Sequence, residues 1–425
     1  MTPSPVVAVR ARWLPWPKRL DIALLAFLAL VIAYCDRVNI SVAAPSMMRE
    51  YGWDTAGMGW VLSGFFAGYA LMMIPAGMLA DRFGPKRVFA VAMAWWSALT
   101  ALTPLPRSLG TLTAMRVFMG IGESGTFPSM NAILVRWFPR QEYSRVAGFC
   151  WSGGYAGSIV GVPLGSLILA TLGWRAVFWI FAAIGMIWVP LWHLAVTDQP
   201  EQSPGVTAAE LAYIRAARPE IRPVERVPWG RILSIPAFWG LFALHFSSNW
   251  FAYVMISWLP TYLLTAKGFS LSSMALGAAL PYICALLASN GFGALIDRLS
   301  VGRSRTRVRK LFLIPYALSA VALLLVPQVS TPRATVAMLC LAMAFLTAAT
   351  PVYSSNSLDL APRFAATVVG VQACIANLAG VLAPVAIGYV ARSGGWTLAF
   401  ALTAAITAAG ILAFALFGTA ERVIE

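Results

Sequence analysis

Charge is scarce in this chain of 425 residues: 11% are Asp, Glu, Lys or Arg, 60% are hydrophobic, and the mean hydropathy is +0.75. A water-facing domain carries about a quarter of its residues charged, so a soluble globular fold is excluded. Acids are scarcer than bases, 16 against 31, and histidine occurs twice. Five cysteines (Cys35, Cys150, Cys284, Cys340, Cys374) are scattered through apolar runs with no C-x-x-C pair. That spacing points to no disulfide framework or metal site and leaves packing roles. There is no H-E-x-x-H, no G-x-S-x-G and no paired intramembrane aspartate, so no enzyme chemistry, resident metal or cofactor is expected.

What the chain has instead is apolar length. A helix needs about 20 mostly apolar residues to cross a hydrocarbon core of about 30 Å. Such runs occupy 21–45, 57–79, 88–105, 109–135, 146–169, 174–195, 236–264, 274–296, 311–328, 334–353, 364–390 and 396–418. They are continuous, without the period-two alternation of a barrel strand. The expected fold class is therefore an all-α integral membrane protein of twelve transmembrane helices.

The net charge of +15 raises the question of nucleic acid, and the placement of the bases answers it. With the N-terminal tail taken as cytoplasmic, segments on that side hold 23 of the 31 Lys and Arg, beginning with Arg10, Arg12, Lys18 and Arg19 and including Arg218, Arg222 and Arg226. The opposite side holds Arg49, Arg107, Arg175, Lys267, Arg333 and Arg392, while Arg37 and Arg116 fall inside spans. By the positive-inside rule both termini face the cytoplasm, and no nucleic-acid partner is expected. The first span is too long for a signal-peptide core and carries charges in its middle, so it reads as retained.

A polar stretch at 196–235, with five acids and five arginines, divides the spans six and six. The expected domains are 1–195, an N-terminal six-helix bundle with its tail; 196–235, a cytoplasmic loop; and 236–425, a C-terminal six-helix bundle. Each half repeats one loop after its second span, "GMLADRFGPKR" at 77–87 and "GALIDRLSVGR" at 293–303, 216 residues apart. Parallel repeats of this kind place substrate between the halves near the midplane. Gly77 is expected to let helices approach, Asp81 to pair with a base or a helix N-terminus, and Gly84, Lys86 and Arg87 to complete a tight turn. With Arg82, Gly293, Asp297 and Arg298 they form a candidate gating motif.

"GMLADRFGPKR" resembles the loop signature of the major facilitator superfamily, and the twelve-span, two-half layout extends the likeness over the whole chain. "YCDRVNISVAAP" (34–45), "RVFMGIGESGTFPSMNAILVRWFP" (116–139), "SWLPTYL" (257–263) and "CIANLAGVLAPVAIGYV" (374–390) resemble its anion:cation symporter branch, which includes bacterial hexonate, hexuronate, aldarate and other carboxylate transporters.

Asp36, Arg37, Arg116 and Glu123 are the charges deep in spans, and each costs roughly 2.5–3.5 kcal/mol at a helix centre. They are retained either for function or as structural ion pairs that fix helix packing. Tyr34, Arg37 and Ser41 share one face of the first helix, while Asp36 turns about 100° away. Arg116 and Glu123 stand two turns apart on the fourth, about 10 Å along its axis. Protonating both acids would leave the two arginines uncompensated and favour an anion. The resemblance implies that Arg37 contacts substrate, that Asp36 and Glu123 carry protons, and that Arg116 partners Glu123.

Asn249, Ser354, Asn356, Asn377, Tyr34 and Tyr69 are candidate substrate contacts, although a lone Asn or Ser in a membrane helix serves equally as interhelical glue. His245 stands alone near the start of the seventh span. Trp95, Trp96 and Trp188 are expected as interface anchors or packing, and the G-x-x-x-G spacings from Gly153 to Gly165 as close helix contacts.

The expected function is a proton-coupled symporter importing a small organic anion, a sugar acid or another carboxylate, across a bacterial inner membrane. The partners are then the anion, protons and the lipid bilayer; a monomer is compatible with this architecture. Alternatives are an exchanger or efflux carrier of the same fold and a non-transporting membrane sensor. Phosphate exchangers of the superfamily it resembles place an arginine in the seventh span, and the absence of Arg or Lys from 236–264 makes phosphate less expected on that resemblance.

Overall fold

A computed structural model describes residues 16–216 and 229–424. Arg10, Arg12, Arg218, Arg222 and Arg226 lie outside the described residues. The N-terminal half comprises α1 (Lys18–Tyr51), α2 (Thr55–Phe83), α3 (Pro85–Leu102), α4 (Leu109–Glu123), α5 (Thr126–Trp137), α6 (Arg140–Leu172) and α7 (Trp174–Ala195). Two short helices, α8 (Ala208–Ala216) and α9 (Trp229–Ser234), lie in the polar connection. The second half comprises α10 (Pro236–Thr265), α11 (Leu271–Ser300), α12 (Arg305–Leu311), α13 (Leu313–Leu325), α14 (Pro332–Leu346), α15 (Ala349–Leu360) and α16 (Ala365–Phe417).

These helices make twelve passes, six in each half. Three expected spans are jointed rather than straight: α4 gives way to α5 at Ser124–Gly125, α12 to α13 at Phe312, and α14 to α15 at Thr347–Ala348. The last two expected spans share the long α16, which turns between them at Gly395, whose φ of 75° suits a residue without Cβ. By length and composition alone, seven described helical segments are apolar enough to cross a membrane. The passes outside this set are α1, α3, α4–α5 and α10.

Glycine decides how α1 is held. It packs along α6, and a Cβ at Gly153 would meet Phe27 O at 2.6 Å, while one at Gly157 would meet Tyr34 Cβ at 2.7 Å. The expected small-residue seam is thus a close α1–α6 contact. At its start α1 follows Pro17, which supplies no side-chain cap. Glu210 of α8 takes that role, accepting the Lys18 and Arg19 N–H groups at 3.1 Å each and pairing with Arg19 Nη1 at 3.1 Å. A carboxylate there satisfies orphan amide groups and complements the helix dipole.

The two halves meet along α2 with α16, α6 with α11 and α1 with α10. The start of α1, the short helices α8 and α9 and the end of α16 lie on one face of the bundle, here termed the terminal face. At the other face the halves are latched. Thr55 Oγ1 donates to Gly388 O at 2.9 Å, Trp60 Nε1 to Tyr389 Oη at 3.3 Å, and Arg392 pairs with Asp54 at 2.9 Å. Gly59 lies flush on the Pro384–Val385 backbone. Deeper in, Ser41 Oγ donates to Ile256 O at 2.7 Å.

The repeated loops close α2 and α11 at the terminal face, but two expectations for them, on Asp81 and Gly77, are corrected. Asp81 is exposed and makes no hydrogen bond or ion pair among the described residues; the carboxylate at the start of α3 is that of Asp198, which accepts the Lys86 N–H at 2.9 Å. Asp81 projects outward from the last turn of α2, while the chain returning from α7 carries Asp198 under α3. Gly77 lies only at ordinary contact distance, with Pro128 Cβ 3.8 Å from where its own Cβ would be, and Gly293 faces open space. Gly84 does complete the tight turn, with φ 88°, while Arg82, Arg87, Asp297 and Arg298 are exposed and Lys86 half-buried.

Candidate functional site

Asp36 and Glu123 are 0% exposed, Arg116 3% and Arg37 5%. Helical geometry sends neighbours Asp36 and Arg37 in different directions. Arg37 reaches across to α4, where Nε and Nη2 lie 2.7 and 2.6 Å from Glu123 Oε1. Its guanidinium carbon is 4.7 Å from the Tyr34 ring centre, 5.2 Å from Phe65 and 5.0 Å from Tyr69, an aromatic setting that suits a weakly hydrated planar cation.

The pair is incomplete. Only Nε hydrogen-bonds Oε1; Nη2 stands within ion-pair reach of the same oxygen but, like Glu123 Oε2, is buried without a hydrogen-bond partner. Arg116 is not the direct partner of Glu123: their two-turn separation along α4 keeps them apart, and Arg37 arrives from the facing helix. Arg116 instead sits over the Phe65 ring at 4.9 Å, places Nη1 3.1 Å from Met119 Sδ, and leaves Nε without a partner. It acts on both Glu123 and Asp36 through its field.

Asp36 is held by a different set of donors. Trp96 Nε1 donates to its Oδ2 at 3.1 Å and Asn39 Nδ2 to its Oδ1 at 3.3 Å. Trp96, expected as packing or an interface anchor, is thus a buried donor, whereas neighbouring Trp95 is exposed. A signal was present in the sequence: indole is a donor without an acceptor, and neighbouring residues on a helix point about 100° apart, so two adjacent tryptophans cannot share one environment.

Facing Arg37 from the second half is Tyr253, which donates to Asn377 Oδ1 at 2.6 Å and packs on Phe66 with ring centres 4.4 Å apart. Asn377 Nδ2 donates to Ala373 O at 2.8 Å. Tyr34, Tyr69 and Tyr253 all lie within electrostatic reach of Arg37. Asn249, one turn before Tyr253, is half-buried. Ser354 is exposed and donates to Thr350 O at 2.7 Å. Asn356 is drawn away to the terminal end of the half, accepting from Arg309 at 2.5 Å and donating to Thr419 O at 2.9 Å. The structure therefore brings Arg37, Tyr34, Tyr69, Glu123 and Asn377 together and leaves Ser354 and Asn356 apart. His245 is not alone: it stacks on Tyr353 and lies against Gln372.

A bundle of two six-pass halves around a sealed charge cluster, latched on one face, is the build of a membrane transporter that works by alternating access. The chain belongs to the Major Facilitator Superfamily, whose profile matches residues 26–384. It is 37% identical over 97% of its length to the rice "Probable anion transporter 4, chloroplastic", covering 71% of that protein. It is 35% identical over 99% of its length to the Arabidopsis thaliana "Sodium-dependent phosphate transport protein 1, chloroplastic", covering 83%. Against the "Probable sulfoacetate transporter SauU" of Cupriavidus necator it is 33% identical, with 90% of each chain covered. Among solved structures, a bacterial homologue of the human lysosomal transporter Spinster, inward-facing and occupied, superposes with a TM-score of 0.77 over 95% of this chain and 97% of its own, at 19% identity. Membership of this family makes the chain a transporter rather than an enzyme.

Proposed function

We propose that the chain is a proton-coupled symporter that takes up a small organic anion by alternating access. The observation that carries the reading is the Arg37–Glu123 pair, joined by one hydrogen bond, with Arg37 Nη2 and Glu123 Oε2 both buried and without a hydrogen-bond partner. A buried guanidinium without a partner costs several kcal/mol, and a carboxylate satisfies it through two parallel bonds. Protonating Glu123 weakens its hold on Arg37 and readies the guanidinium for the anion. The incoming anion in turn favours a neutral Glu123. Each ligand raises the affinity for the other by the same factor, the reciprocity that symport requires.

Asp36, held by Trp96 and Asn39 behind Arg37, is the second proton carrier in this reading, and Arg116 supports both acids through its field. Tyr34, Tyr69, Asn249 and Asn377 line the anion. The excess of Lys and Arg on the terminal face orients the termini to the cytoplasm, and the bacterial relative named for sulfoacetate fits an inner-membrane location and a small organic acid.

A second reading, an inorganic-anion carrier, is favoured by the relative named for sodium-dependent phosphate transport. Proteoliposome uptake separates the two. A panel of labelled carboxylates, sulfoacetate and inorganic phosphate is offered under an inward pH gradient or an inward sodium gradient. The first reading expects an organic acid to accumulate with the pH gradient and Arg37→Ala to abolish its uptake. Accumulation of phosphate alone, driven by sodium, contradicts it.

A further inference from the structure

The latched face, opposite the terminal one, is poor in acids. Among the described residues it carries Glu50 and Asp54 against six bases, Arg49, Arg107, Arg175, Lys267, Arg333 and Arg392. Both acids are taken: Glu50 pairs with Arg175 of its own half, and Asp54 with Arg392 of the other. Arg49, Arg107 and Arg333 are exposed and make no hydrogen bond or ion pair among the described residues. An anion arriving at this face meets a positive rim.

Arg392 differs from the other five bases in its place. It is the one charged residue of α16, and it ends a stripe formed with Asn377, Gly380, Pro384 and Gly388 at helical spacing, about 22 Å long. That stripe is what α2 seals. Asn377 Nδ2 lies 3.9 Å from Met73 Sδ, a Cβ at Gly380 would press into the Phe66 ring, Gly59 lies on Pro384 O, and Thr55 Oγ1 donates to Gly388 O. The inner end stands beside the charge cluster, since Asn377 accepts from Tyr253, which is within electrostatic reach of Arg37.

Alternating access parts α2 from α16 at this face, and the stripe then becomes one wall of the path inward. Asp54 leaves with α2, still accepting the Gly57 N–H at 2.7 Å, where the helix N-terminus offsets its charge. Arg392 keeps no such partner, and its side chain is 59% exposed even while paired. We infer that Arg392 recruits the incoming anion: with the face closed it latches to Asp54, and with the face open its freed guanidinium is the cation that the anion meets at the mouth of the wall leading to Arg37. The inference rests on the anion reading above and holds for any small anion.

Initial uptake into proteoliposomes, with labelled gluconate, sulfoacetate and inorganic phosphate as probes, tests it through two substitutions that break the same pair. Asp54→Asn keeps the helix cap and leaves the cation, whereas Arg392→Gln removes it. At about 10 mM salt, where the Debye length is about 30 Å, kcat/KM for the anion taken up should be about threefold to tenfold lower in Arg392→Gln than in Asp54→Asn, with kcat similar. The gap should close near about 1 M salt, where that length is about 3 Å. Arg392→Lys should keep the wild-type value, because recruitment needs charge and not a planar fork. Equal kcat/KM in the first two variants at low salt overturns the inference and leaves the pair a latch alone, as does a gap that salt does not close or a loss in Arg392→Lys as large as in Arg392→Gln. If the wild type takes up none of the three probes, the anion reading falls and takes the inference with it.

Discussion

Arg37 and Glu123 are the pair on which coupling turns, and they answer differently to substitution. Glu123→Gln keeps the shape of the side chain and removes the charge that competes for Arg37. The expected result is anion affinity about tenfold higher near neutral pH, with most of its pH dependence gone, measured by calorimetric titration of the purified protein. Arg37→Lys should not rescue Arg37→Ala, because an ammonium lacks the planar fork that meets a carboxylate through two bonds and suits the rings of Tyr34, Phe65 and Tyr69. Recovery of wild-type affinity by Lys would argue that Arg37 supplies charge alone. Asp36 and Arg37 stood out in the sequence because charges in an apolar run are costly wherever they point. Which acid meets which base did not stand out, because that depends on how α1 and α4 are rotated against each other.

At the scale of the helix, α6 carries its own control. A Cβ at Gly157 would press on Tyr34 Cβ at 2.7 Å and on the backbone of α1, whereas Gly148 has nothing within 4 Å. Gly157→Ala should destabilise the folded protein by about 1–3 kcal/mol through overpacking, and Gly148→Ala should be neutral or stabilising by up to about 1 kcal/mol through helix propensity. Thermal unfolding in one detergent compares them; equal melting temperatures would remove the seam from the account. The number of the passes was legible because lipid demands long apolar helices, and the G-x-x-x-G run announced a close contact. The joints at Ser124–Gly125 and Thr347–Ala348 were announced by a signal the span reading did not use: Pro128 and Pro351 lack the N–H groups that would bond the Ser124 and Thr347 carbonyls. Asp198 was hidden: nothing in the loop composition shows that it, and not Asp81, meets the start of α3.

For the whole molecule, the latch between Asp54 and Arg392 ties the halves at the face opposite the termini. Asp54 also caps α2, accepting the Gly57 N–H at 2.7 Å, so Arg392→Ala is the cleaner way to open it. Both partners are substantially exposed, which limits the pair to about 1 kcal/mol and the shift in population to about fivefold or less. Spin labels placed across that face should report a larger separated fraction in the variant; an unchanged distance distribution would assign the latch to the Gly59 and Gly388 contacts instead. The central claim, that an arriving anion displaces Glu123 from Arg37 and the released carboxyl takes a proton, is tested most directly by counting protons. Purified protein in weak buffer near neutral pH is mixed with a bound carboxylate and a pH-indicating dye. The account predicts net proton uptake on binding, diminished in Glu123→Gln. Anion binding with no proton uptake by the wild type would contradict it.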